Sequence, residues 1–130
     1  MRSITSDGHA ITRLQRLLAS GRGTSTQIRS LVSELPRRPD LELALAICLG
    51  LLDREPAVYP RAAARWGSRF ALERNLPLVD AQLALAALAV LPGDGGRAGA
   101  EALIDLAGRY GLRRVDQLLS DWIERRGLGT

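Results

Sequence analysis

Apolar residues along this chain recur three and four positions apart from one end to the other, and no stretch alternates with a period of two. That spacing lines one face of a helix and scatters over both faces of a strand, so an all-α fold is expected. The 24 Leu and 18 Ala, with few β-branched residues, favour the same state. Gly, Pro and capping residues divide the chain into seven predicted helices: 9–20, 25–35, 41–54, 60–74, 77–91, 97–110 and 113–126. Thr24 followed three positions on by Gln27 predicts a capping box, Pro36 ends that helix, and Asp40 is the expected cap of the next.

A chain of 130 residues is enough for one domain that buries roughly two-thirds of its unfolded surface. Residues 1–130 are therefore read as a compact single domain of about seven helices, with residues 1–7 and 127–130 expected to be loose. One cysteine excludes an internal disulfide framework, and one histidine leaves no His-rich metal or catalytic cluster. The longest uncharged apolar run, Leu43 to Leu52, is half the roughly 20 residues of a membrane span, and no charged-then-apolar leader opens the chain. A cytoplasmic chain with no membrane partner is expected. Leu43 to Leu52 of the third helix and Leu83 to Leu91 of the fifth are apolar on every face. Both are expected at the centre, wrapped by five amphipathic neighbours.

A shift of 36 residues lays the fourth and fifth helices over the sixth and seventh. Arg61 falls on Arg97, Ala62 on Ala98, Ala64 on Ala100 and Ala71 on Ala107. Leu76-x-x-Val79-Asp80-x-x-Leu83 falls on Leu112-x-x-Val115-Asp116-x-x-Leu119. A fainter copy lies 40 residues upstream, where Asp40-x-Glu42-Leu43-Ala44-Leu45-Ala46 matches Asp80-x-Gln82-Leu83-Ala84-Leu85-Ala86. Stacked hairpins over 25–55, 60–91 and 97–126 would resemble an α-solenoid of the HEAT or tetratricopeptide kind; without stacking, the same helices form an irregular bundle. Stacking would set Arg61, Arg65 and Arg69 beside Arg97, Glu101 and Asp105. The expected inter-hairpin pairs are Arg65 with Glu101 and Arg69 with Asp105.

All 18 basic residues are arginine, and the formal charge is +4. Residues 1–38 hold seven of them against Asp7 and Glu34, a net of +5, while the remainder is close to balanced. Attraction to a polyanion would therefore sit at the N-terminal end. There the predicted helix, a Gly21-Arg22-Gly23 turn and Thr24-Ser25-Thr26-Gln27-Ile28-Arg29 resemble a helix-turn-helix, with Arg13, Arg16, Arg22, Gln27, Arg29, Arg37 and Arg38 as the candidate nucleic-acid contacts. The glycine spacing is off for that motif, and an ordinary helical hairpin is the plainer reading.

No set of residues asks for catalysis. The absence of lysine removes Schiff-base and P-loop chemistry. His9 has no partner base, and Cys48 lies in the apolar run Leu45 to Leu49, where a thiol stays protonated. Asp80 and Asp116 occupy the first turns of their helices, where a negative charge suits the dipole. Asp94-Gly95-Gly96 reads as a turn, Trp66, Phe70, Tyr59 and Trp122 as core anchors, and Arg113-Arg114 and Arg125-Arg126 as solvated helix ends. The expectation is a non-enzymatic helical scaffold, without cofactor, metal or small-molecule substrate, that binds another protein or itself. The alternative is a small nucleic-acid-binding regulator using the arginine-rich N-terminal helices.

Overall fold

The computed structural model describes residues 4–127. They form seven α-helices and no strand: α1 (Ile4–Ser20), α2 (Ser25–Ser33), α3 (Leu41–Arg54), α4 (Tyr59–Glu73), α5 (Leu78–Val90), α6 (Gly96–Arg109) and α7 (Val115–Arg125), with a 3-10 turn at Pro56–Val58 before α4. The capping box forms as the sequence predicts. Thr24 Oγ1 accepts from the Gln27 N–H at 3.2 Å, and Gln27 Oε1 accepts from the Thr24 N–H at 2.9 Å. Asp40 Oδ1 accepts from the Leu43 N–H at 2.8 Å and starts α3. The first helix begins at Ile4, five residues ahead of its expected start, so of the ends expected to be loose residues 4–7 are helical; residues 1–3 and 128–130 lie outside the described residues.

Each helix from α3 to α7 packs against the next, and α7 returns to pack against α3. Five helices thus close a ring, and α1 and α2 cover α3 from outside it. An odd number of alternating helices must close with two parallel members, and the side-chain ties put α3 and α7 in that relation. Arg114, at the head of α7, meets Asp40 and Glu42 at the head of α3. Trp122 and Arg126, at the tail of α7, meet Asp53 at the tail of α3. Inside the ring, Tyr59, Trp66, Phe70, Leu103, Leu106, Leu119 and Trp122 form one apolar core with the inner faces of α3 and α5. The polar atoms of its rings are satisfied: Tyr59 Oη donates to the Leu88 carbonyl at 2.8 Å and Trp66 Nε1 to the Leu41 carbonyl at 2.7 Å.

The 36-residue repeat survives as local structure. Asn75 and Gly111, equivalent under the shift, are both left-handed, with φ of 53° and 84°. The N–H of Leu76 and of Leu112 each reaches back 3.0 Å, to the carbonyls of Ala71 and Ala107. α4 and α6 therefore end on the same backbone cap, one using Asn and the other Gly to enter that conformation.

The stacking expected from the repeat does not form, and the irregular bundle is the architecture found. α5 stands between α4 and α6, so the two charged stripes never meet. Arg69 pairs with Glu73, Glu101 with Arg97 at 3.1 Å and Asp105 with Arg109 at 3.7 Å, each four residues away in its own helix. Arg65–Glu101 and Arg69–Asp105 are corrected accordingly. The expectation of two central helices also fails by half. Every residue of α3 is buried or half-buried, because four helices surround it. α5 has two neighbours only, and eight of its thirteen residues are exposed. No described helix is long and apolar enough to cross a membrane.

Candidate functional site

α1 and α7 lie on either side of α3 and do not pack against each other. The space between them is a groove of about 830 Å³. Leu43, Ala46 and Leu49 of α3 form its floor, Ile11, Leu18 and Ala19 of α1 one wall, and Leu118 of α7 the other, while Leu35, Pro36 and Pro39 close one end. Its rim carries both signs of charge: Arg37, Arg38, Asp40, Glu42 and Arg114 at the head of α3, and Asp121 and Arg125 toward the tail. Gln15 of α1 and Gln117 of α7 also line it.

Both walls are fixed to the floor. Glu42 accepts from the Arg114 backbone N–H at 2.6 Å and from its guanidinium at 3.2 and 3.1 Å, and Asp40 accepts a further bond at 3.1 Å. These carboxylates hold the Arg114 guanidinium above its ordinary basicity, the hydrogen bond to Glu42 first among the causes. Asp53 Oδ1 accepts from both Trp122 Nε1 at 3.3 Å and Arg126 Nη1 at 3.0 Å, and the Arg126 guanidinium lies 4.9 Å over the Trp122 ring. On the other wall, Arg54 donates to the carbonyls of Leu17 (2.8 Å), Arg22 (2.9 and 2.5 Å) and Gly50 (3.0 Å). It satisfies acceptors at the open end of α1, a place where helix carbonyls have no partner of their own. Partial burial, ahead of the nearby charges, lowers its pKa.

The candidate nucleic-acid contacts are not gathered on one face. Arg13 is paired with Glu34 at 2.7 Å and Arg29 with Glu55 at 3.4 Å. The amide of Gln27 is folded back into the capping box. Arg22 lies by the tail of α3, where its carbonyl meets Arg54, whereas Arg37 and Arg38 precede the head of α3, roughly 20 Å away along a helix of fourteen residues. Arg16 is exposed on α1. Arg38 instead joins Arg61, Arg65 and Arg69 around a shallow hollow with Ser68 and Leu72 on the outside of α4. That juxtaposition depends on tertiary packing and had no signal in the spacing.

The remaining polar residues are bound locally. Burial pushes the Cys48 thiol up to about 12, and its Sγ lies 3.6 Å from the Ala62 carbonyl. Asp80 accepts from Tyr110 Oη, which raises that phenol, and Asp116 accepts from Ser120 Oγ at 3.3 Å. His9 is exposed on α1. Among the described residues no three His, Cys, Asp or Glu side chains stand close enough to hold a metal ion. The groove escaped sequence reasoning because α3 is apolar all round, so its outward stripe (Leu43, Ala46, Ile47) looks like any other core stripe until the ring shows which faces are covered. Searches for relatives find no protein family, no curated protein and no solved structure that matches this chain.

Proposed function

We propose that this chain works by binding rather than by catalysis, and that the groove between α1 and α7 takes an amphipathic helix from another protein. The observation that carries the reading is an apolar floor open between two helices that are each tied to it by hydrogen-bonded polar side chains, Glu42 to Arg114 on one side and Arg54 to Leu17 on the other. Helix-in-groove recognition needs that arrangement: apolar residues at i, i+3, i+4 and i+7 seat on the floor, and a polar flank meets the rim. Mixed charge along the rim suits a helix with both acidic and basic flanks better than a polyanion. Because the walls are already anchored, little ordering would be needed on binding, which favours affinity.

Selection of helical peptides against the purified chain tests the reading. Peptides with a spaced apolar stripe are expected to enrich, and Leu118→Glu is expected to abolish their binding with the helical content of the chain unchanged. Enriched peptides that bind the Leu118→Glu chain as tightly as the parent would overturn it.

A polyanion-binding reading has one observation in its favour, the four arginines around the hollow on α4. Neutralising phosphates there would make affinity fall steeply with salt. Charge reversal at Arg61 and Arg65 should then abolish retention of nucleic acid, and retention that survives it excludes this hollow.

A further inference from the structure

We infer that the outward face of α5 docks a second copy of this chain, through an antiparallel α5–α5 pair about a twofold axis. Among the described residues, the large apolar side chains left exposed are concentrated here. Leu78, Val79, Leu83, Leu85 and Val90 stand on α5, Leu72 lies one short loop before it, and Ile11, in the groove, is the exception. No charge interrupts the exposed positions of α5. Gln82 is their single polar side chain, and Asp80 is engaged by Tyr110.

The repeat says what such a stripe does in this chain. Under the 36-residue shift Val79, Leu83 and Ala86 fall on Val115, Leu119 and Trp122. On α7 those three are fully buried where the ring closes. On α5 the bundle turns a different face inward, the small Ala84 and Ala87 with Leu88, about 100° round the helix. The stripe that has partners on α7 is left without them on α5: Val79 is 68% exposed where Val115 is 0%.

A second copy can offer one uncovered apolar helix of this length, and it is α5 itself. Val79, Leu83, Ala86 and Val90 are spaced four, three and four apart, the seam of a short coiled coil. Run antiparallel about a twofold axis, Val79 meets Val90 of the partner subunit, and Leu83 meets the partner's Ala86, a large side chain against a small one. A twofold interface must complement itself, and an uncharged stripe does so without opposing like charges.

Sedimentation of the full chain over a range of concentrations tests the pairing. The parent chain is expected to reach twice the monomer mass. Leu83→Glu, at a half-exposed position, is expected to weaken that association about tenfold or more with unchanged helical content. Leu118→Glu, in the α1–α7 groove, should leave it intact. An oxidised mixture of Val79→Cys and Val90→Cys chains should form disulfide dimers far faster than either chain alone. A parent chain that stays monomeric throughout overturns the inference. So does self-association that ignores Leu83→Glu, that is lost in Leu118→Glu, or that cross-links equally well in all combinations. A monomer that instead sediments with anionic lipid vesicles, and loses them on Leu83→Glu, assigns the face to membranes and overturns it too.

Discussion

Arg114 gives both its backbone N–H and its guanidinium to Glu42, a residue seventy-two positions earlier, and so clamps the head of α7 to the head of α3. This contact closes the five-helix ring and fixes one wall of the groove. Glu42 is largely shielded, with a side chain 17% exposed, and it receives charge-assisted bonds. Glu42→Ala should therefore cost about 1–2 kcal/mol, above the range of an ordinary surface pair. Urea unfolding measures it, and a loss no larger than that of Asp105→Ala, an exposed pair within one helix, would show that the clamp contributes nothing special.

Arg54 plays the corresponding part for the other wall. Arg54→Lys keeps the charge but loses the planar fork that reaches Leu17, Arg22 and Gly50 together. Amide hydrogen exchange should accelerate in α1 and α2 and remain unchanged in α4 to α6. Uniform acceleration across the chain would mean that the N-terminal pair does not open separately.

Two glycines at helix contacts should respond differently to a methyl group. At Gly99 an added Cβ would lie 2.7 Å from the Ala87 backbone carbonyl and 2.6 Å from Val90 Cγ2, so α5 and α6 must separate. Gly99→Ala is expected to destabilise by about 1–3 kcal/mol. At Gly67 the obstacle is Leu85 Cδ2 at 2.6 Å, the end of a half-exposed side chain that can swing outward. Alanine also recovers about 1 kcal/mol of helix propensity there, so Gly67→Ala should be close to neutral. Thermal denaturation of the two variants compares them directly, and equal losses would contradict the packing.

Cys48 and Tyr59 bind their protons more tightly when folded, because burial raises both. The unfolded chain releases those protons at lower pH, so stability is complete below the ordinary thiol value of 9.0 and falls as pH climbs above it. The melting temperature should decline across that interval, and native Cys48 should react with a thiol reagent at pH 8 no faster than the chain opens. Rapid stoichiometric labelling of the folded chain would contradict the burial.

The helices themselves were legible where their ends are written in single residues: Thr24 with Gln27 starts α2, Asp40 starts α3, and Gly111 follows the end of α6, whereas the left-handed Asn75 after α4 gave no such signal. Their arrangement was less so. The repeat is written in the residues of α4–α5 and α6–α7, yet sequence similarity specifies the local caps and not which helix sits beside which. Long apolar runs in both α3 and α5 hid the difference between a helix with four neighbours and one with two. The groove and the arginine hollow depend on that arrangement, so neither was visible before it.

Photo-crosslinking in the native host addresses the central proposal most directly. A light-activated residue is placed at Gln15, Ala46 or Gln117 in the groove, and as a control at the exposed Ala98 on α6. A discrete protein adduct from all three groove positions, absent at Ala98 and lost in the Leu118→Glu background, is the expected result. Adducts that form equally at Ala98, or that persist in Leu118→Glu, would contradict the groove as the place where this chain meets its partner.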